Sequence, residues 1–196
     1  YGIGKIDKVY YETSDLNPIS LYGKTKVAAE KVIQQHHNYV TLRLATVFGL
    51  SNRMRTDLLV NDFTYKAFKK KNLILFEQHF KRNFIHIRDV CSAIIYSLDN
   101  FKKFKNQTFN VGLEDANLSK LELALKIKKY VKSLEIFHDK KRKDPDKRNY
   151  IVSNKKILST GWKPNFSLDD GIKELLIYYQ NFKLTNDTNN VFVLKK

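Results

Sequence analysis

The sequence predicts an α/β fold on a largely parallel sheet, and three observations lead there. Runs with two-residue periodicity alternate with longer runs of helical periodicity, the order that βαβ units require. Hydrophobic residues make up 42% and aromatic residues 13% of the 196, enough to bury a core and too much for a disordered chain. No apolar run approaches the ~18 residues of a membrane-spanning helix, so no membrane partner is expected.

Taken in order, Asn17 and Pro18 read as the cap and first position of a helix running to about residue 35. Residues 39–45 alternate as a strand, 58–70 read as a helix, and 73–76 as a short strand. Residues 84–87 form another strand that hands over to a helix over 89–98, with Asp89 as its cap and His86 pointing opposite to its strand neighbours. Residues 108–112 make a strand ending on a glycine turn. Ser119 caps a helix reaching about residue 131, 134–137 is a strand, Asn154 caps a short helix, and a last helix covers 168–179. The residues beyond 184 read as a polar tail.

The chain carries 36 Lys+Arg against 20 Asp+Glu, a formal charge of +16. Such a charge suits a polyanionic partner, either nucleic acid or a small molecule carrying phosphates. No RNA-recognition strand pair, helix-turn-helix or zinc finger accompanies it, and aromatics are not interleaved with the basic runs, so nucleic acid is not expected. The single cysteine, Cys91, cannot close an internal disulfide or anchor a Cys-rich metal site. With Tyr1-Gly2-Ile3-Gly4 showing no apolar leader, a reducing, cytoplasmic setting and no metal are the expectation.

The chemistry centres on Tyr22-Gly23-Lys24-Thr25-Lys26. A Tyr and a Lys four apart at a helix start share one face, about 5–6 Å apart at Cβ. A phenol is a poor base at neutral pH, but a neighbouring ammonium favours the phenolate, which would make Tyr22 a general base.

The surrounding residues strengthen that reading. The stretch from Tyr1-Gly2 through Asn17-Pro18 to Tyr22-Gly23-Lys24-Thr25-Lys26 with Ala29-Glu30 resembles the catalytic segment of the extended short-chain dehydrogenases, the NAD-dependent epimerase/dehydratase family acting on nucleotide sugars. The resemblance continues in order through LRLATVFG at 42–49, RNFIHIRDV at 82–90, TFNVG at 108–112 and GWKP at 161–164. It implies the C-terminal part of a Rossmann-like domain, with Rossmann elements over about 1–50 and 84–112, a smaller substrate-binding region over about 51–83 and 113–182, and the tail at 185–196. The family's glycine-rich βαβ unit is not found: glycines stand at 2, 4, 23, 49, 112, 161 and 171, and no trio has its spacing. The chain therefore reads as the C-terminal portion of a longer enzyme.

Roles follow from the resemblance. Tyr22 would accept the proton of a sugar hydroxyl while hydride leaves the same carbon for NAD, or NADP. Lys26 would lower the Tyr22 pKa and hold the nicotinamide ribose, and Ala45, Thr46 and Val47 would line the nicotinamide and sugar pocket. Asn61, Arg82 and Arg148, with Arg142 as the alternative to Arg148, would bind the diphosphate of a nucleoside-diphosphate sugar. Arg53 and Arg55 lie in a loop beside Asn61. A 4-epimerase is the leading expectation, a 4,6-dehydratase or reductase the alternative, and the full-length enzyme could be a homodimer. A catalytically inactive basic binding protein is the reading from another class.

Overall fold

Strand β2 (Val40–Leu44) runs parallel to β6 (Gln107–Val111), with Leu42 opposite Phe109 and Arg43 opposite Asn110. The computed structural model describes residues 1–2, 8–142 and 149–181. Before β2 come β1 (Val9–Tyr10) and α1 (Leu21–Gln34); between β2 and β6 come β3 (Thr46–Phe48), α2 (Leu59–Lys70), β4 (Asn72–Leu75), β5 (Lys81–His86), α3 (Ile87–Asp99) and α4 (Phe101–Phe104). After β6 follow β7 (Asn117–Ser119), α5 (Lys120–Lys128), β8 (Glu135–His138), β9 (Ile151–Val152), α6 (Lys155–Leu158) and α7 (Leu168–Asn181).

Among the described residues four small sheets result: β1 with β9, β2 with β6, β4 with β8, and β3-β5-β7. Every pairing is parallel except β5 with β7. The expected parallel α/β order is therefore present, with one antiparallel strand added.

The core forms where β5 is covered on both faces. Residues 82–86 are all buried, so the strand shows no alternation, and His86 cannot be placed by the two-residue period. Phe84, Phe104, Phe109 and Leu123 are fully buried around it. Gly112 follows β6 because a Cβ there would stand 1.7 Å from Asn83 Oδ1, so close approach, and not a turn, requires glycine.

Helix starts differ from expectation in two places. Helix α1 begins at Leu21, capped by Ser20, whose Oγ accepts from Gly23 N at 3.1 Å. Asn17 is taken up elsewhere: its N–H donates to Tyr1 O and it forms a parallel bridge with Gly2, which leaves residues 17–20 outside the helix. Helix α3 is capped by His86, whose Nδ1 accepts from Arg88 N. Asp89 is instead buried in the first turn and accepts the N–H groups of Asn165 and Phe166, at 2.8 and 3.1 Å. Helix α5 matches its sequence signal, Ser119 and Glu122 forming a reciprocal capping box. No helix among the described residues is long and apolar enough to cross a membrane.

Candidate active site

A cavity of about 560 Å3 opens between α2, β4 and the first turn of α5. Thr46, at the start of β3, reaches it because the chain leaves β2 there and turns to pair with β5, Thr46 lying opposite Phe84. The inner wall is cationic. Arg82 is 4% exposed and donates from Nη1 to Lys81 O at 3.1 Å, and the buried Lys120 donates from Nζ to Phe76 O at 2.9 Å. Lys120 Nζ and the Arg142 guanidinium both lie against the Phe76 ring, at 4.5 and 4.8 Å from its centroid. The acids of the lining face other bases: Asp62 pairs with Lys66 at 2.7 Å and Asp57 with Arg55 at 2.6 Å. Hydrogen bonds from Arg55 hold the Asp57 carboxyl below its ordinary pKa, against partial burial.

Such an arrangement suits an anion attached to an apolar or aromatic body. A guanidinium has five N–H donors and can hold Lys81 O and a diphosphate together. Leu58, Leu59 and Phe63 supply the apolar side of the same cavity. A second, more open depression of about 370 Å3 beside α7 is lined by Leu50, Asp170, Lys173, Glu174, Ile177 and Tyr178.

Tyr22 and Lys26 stand apart from the cavity lining, on the first turns of α1. Tyr22 is 71% exposed, and Lys26 Nζ lies 5.5 Å from its ring centroid, as the four-residue spacing predicts. Arg55 is held above its ordinary pKa chiefly by its bonds to Asp57, with a smaller contribution from Tyr22. An exposed phenol with an ammonium over it fits the nicotinamide-ribose end of a dinucleotide. No glycine trio in this sequence fits the pyrophosphate end.

Asn61 lies beneath the cavity wall, 1% exposed. Its Oδ1 accepts from Gly49 N at 3.1 Å, its Nδ2 donates to Arg55 O at 2.8 Å, and its carbonyl accepts from Tyr179 OH at 3.2 Å. The fold thus brings Thr46, Arg82 and Arg142 to one cavity and sets Asn61 behind it. Ala45 and Val47 flank Thr46, and Ala45 N donates to Val111 O. Arg148 lies outside the described residues, and Arg53 is exposed in the loop. Sequence reasoning missed Lys120 and Phe76. A lysine at the first position of a capped helix carries no local sign that its ammonium will reach a carbonyl 44 residues away.

Residues 1–112 match the NAD dependent epimerase/dehydratase family. The dTDP-L-rhamnose 4-epimerase of Burkholderia thailandensis is 29% identical over 173 residues, 84% of this chain and 47% of that protein. The dTDP-D-glucose 4,6-dehydratase of Mus musculus is 25% identical over 195 residues, 92% of this chain and 53% of that protein. The chain spans about half the length of the curated relatives it matches. Among solved structures, UDP-glucuronic acid 4-epimerase from Bacillus cereus, in complex with UDP-glucuronic acid and NAD, superposes with a TM-score of 0.77 at 22% identity, covering 90% of this chain and 58% of that one. At that identity the likeness speaks for the Rossmann-like fold alone.

Proposed function

Because the chain belongs to the NAD-dependent epimerase/dehydratase family, we propose that it provides the base and the nucleoside-diphosphate site of a nucleotide-sugar epimerase. The observation that carries this reading is the cavity in which Arg82, Lys120 and Arg142 converge, with Tyr22 and Lys26 sharing one face of α1 outside its lining.

In this reading Arg82 and Arg142 hold the diphosphate, and the apolar wall at Leu58 and Phe63 covers the nucleoside. Anchored at that end, the sugar reaches past Thr46 toward α1. Tyr22 accepts the proton of a ring hydroxyl, and Lys26 favours the phenolate and binds the nicotinamide ribose. When bound, the nicotinamide cofactor supplies the hydride acceptor. Relatives that are epimerases and relatives that are 4,6-dehydratases match the chain comparably, and both outcomes are compatible with a first oxidation of the sugar. The epimerase reading and the dehydratase reading are separated by product analysis.

The test is turnover of nucleoside-diphosphate hexoses by the chain extended to its relatives' full length. Tyr22→Phe should lower kcat by about 10²–10⁴-fold, the usual worth of positioned proton transfer, and Lys26→Ala should impair both rate and cofactor affinity. Wild-type turnover by Tyr22→Phe on every substrate accepted would remove Tyr22 from the mechanism.

A further inference from the structure

Asp57 and Leu58, at the end of loop 51–58, line the cavity, and a carboxylate holds Leu50, where that loop begins. Glu174, on α7, turns Oε2 toward two groups: Leu50 N donates to it at 3.1 Å, and His86 Nε2 lies 3.0 Å away. Arg88 N donates to His86 Nδ1 at 3.3 Å, so Nδ1 carries no proton, and the ring hydrogen is assigned to Nε2, aimed at the carboxylate. His86 is fully buried, stacked on Phe166 at 4.5 Å and edge-on to Phe48 at 5.4 Å, so the ring has little room to move.

The turn itself is shaped to this ring. Gly49 has φ +105°, and a Cβ there would stand 2.4 Å from His86 Nε2. From Gly49 the connection runs on to the cavity, because its N–H is the one held by Asn61 Oδ1, and Asn61 Nδ2 holds Arg55 O. Asp57 and Leu58, the next residues of the loop, line the cavity. Hydrogen bonds, joined through the backbone at Gly49–Leu50 and again from Arg55 to Asp57, therefore lead from Glu174 to the cavity wall.

We propose that Glu174 is a positioning residue for the nucleotide: by holding Leu50 N–H and His86 it fixes the 49–50 turn and, through Asn61, the loop that closes one side of the nucleotide cavity. The inference rests on the nucleoside-diphosphate reading of that cavity. Arg88 also bonds Glu174, Nη2 to Oε1 at 2.6 Å, but its side chain is 54% exposed and the Oε2 contacts do not depend on it.

The experiment titrates UDP and dTDP into the 196-residue chain and its variants, alongside thermal melts and hydrogen exchange of residues 49–58. Glu174→Ala should weaken nucleotide binding roughly tenfold, the usual scale for losing a hydrogen bond to a charged group, and speed exchange in 49–58 with α5 unchanged. Glu174→Gln should restore most of the affinity, since its amide oxygen accepts in the same place, and Arg88→Ala should bind like wild type. If the alanine variant does not fold, Glu174→Asp carries the test, because it keeps the charge and withdraws it from Leu50 by one methylene. Wild-type affinity in Glu174→Ala overturns the proposal, as does a Gln variant no better than Ala with exchange raised everywhere. Absence of UDP and dTDP binding by the wild-type chain would instead overturn the nucleotide reading, and this proposal with it.

Discussion

Arg43 on β2 and Glu30 on α1 form a two-pronged ion pair, Nη2 to Oε1 at 2.6 Å and Nε to Oε2 at 3.1 Å, with side chains only 17% and 12% exposed. Helix α1 buries none of its residues fully, so its seat on the sheet depends on polar contacts more than on packing. Burial opposes the charge on Arg43, but its bonds to Glu30 and Tyr1 outweigh that, and its pKa lies above the ordinary arginine value. Arg43 Nη1 also donates to Glu12 O and to Tyr1 OH, whose own pKa is raised, chiefly by burial. The helix that carries Tyr22 and Lys26 is thus referenced to the sheet by the Arg43 guanidinium and, near its end, by Gln34 Nε2, which donates to Thr108 Oγ1 at 3.2 Å.

Removing one partner should therefore loosen α1 selectively. Glu30→Ala leaves a half-buried guanidinium without its carboxylate and is expected to cost about 1–3 kcal/mol in denaturant unfolding. Hydrogen exchange should quicken in α1 and stay unchanged in α7. Uniform acceleration across both helices would contradict the assignment.

Gly171, on α7, should resist a substitution that helices ordinarily favour. Gly→Ala inside a helix commonly gains about 1 kcal/mol. Here a Cβ would stand 2.2 Å from Cε2 of the fully buried Phe48 ring and 3.2 Å from His86 Cδ2. Overpacking of that kind costs about 1–3 kcal/mol, so Gly171→Ala should lower Tm. An unchanged or higher Tm would mean that α7 can move away from β3.

The capping box of α5 predicts an acid-sensitive contribution. Glu122 accepts the backbone N–H of Ser119 at 2.7 Å, and this bond, with the Ser119 side chain, depresses its pKa. A depressed carboxylate stabilises the fold fully above its unfolded pKa and loses that contribution as pH falls through the folded value. Glu122→Gln should thus lower Tm near neutral pH and differ little from wild type once Glu122 is protonated. A Tm difference that is constant with pH would contradict this.

Cofactor binding by this chain should be weak. In the proposed reading Tyr22 and Lys26 address the nicotinamide end alone, and the sequence has no glycine-rich turn for the pyrophosphate. Calorimetric titration with NAD should show no micromolar isotherm, and finding one would mean that another part of the chain holds the pyrophosphate.

Much of this organisation is legible in the sequence where the signal is local. Ser119 marks the start of α5 because a cap lies beside the helix it opens, and Tyr22 with Lys26 marks a shared helix face because the two are four residues apart. Arg82 is recognisable from the residues around it. What could not be read depends on distant partners. Asn17-Pro18 looks like a helix start, yet its backbone pairs with Gly2, and Asp89 looks like a cap, yet serves the N–H groups of residues 165 and 166. Lys120 and Glu174 owe their roles to groups 44 and 124 residues away, and no local pattern announces either.

In the proposed function one cavity binds the nucleoside diphosphate while a separate helix face carries the base. Calorimetric titration of UDP and dTDP into the wild-type chain, Arg82→Lys and Tyr22→Phe separates the two roles. Arg82→Lys keeps the charge but loses bidentate geometry, and should weaken the bound nucleotide roughly tenfold. Tyr22→Phe should bind it as wild type does. Equal affinity in Arg82→Lys, or a loss confined to Tyr22→Phe, would contradict the assignment of the cavity.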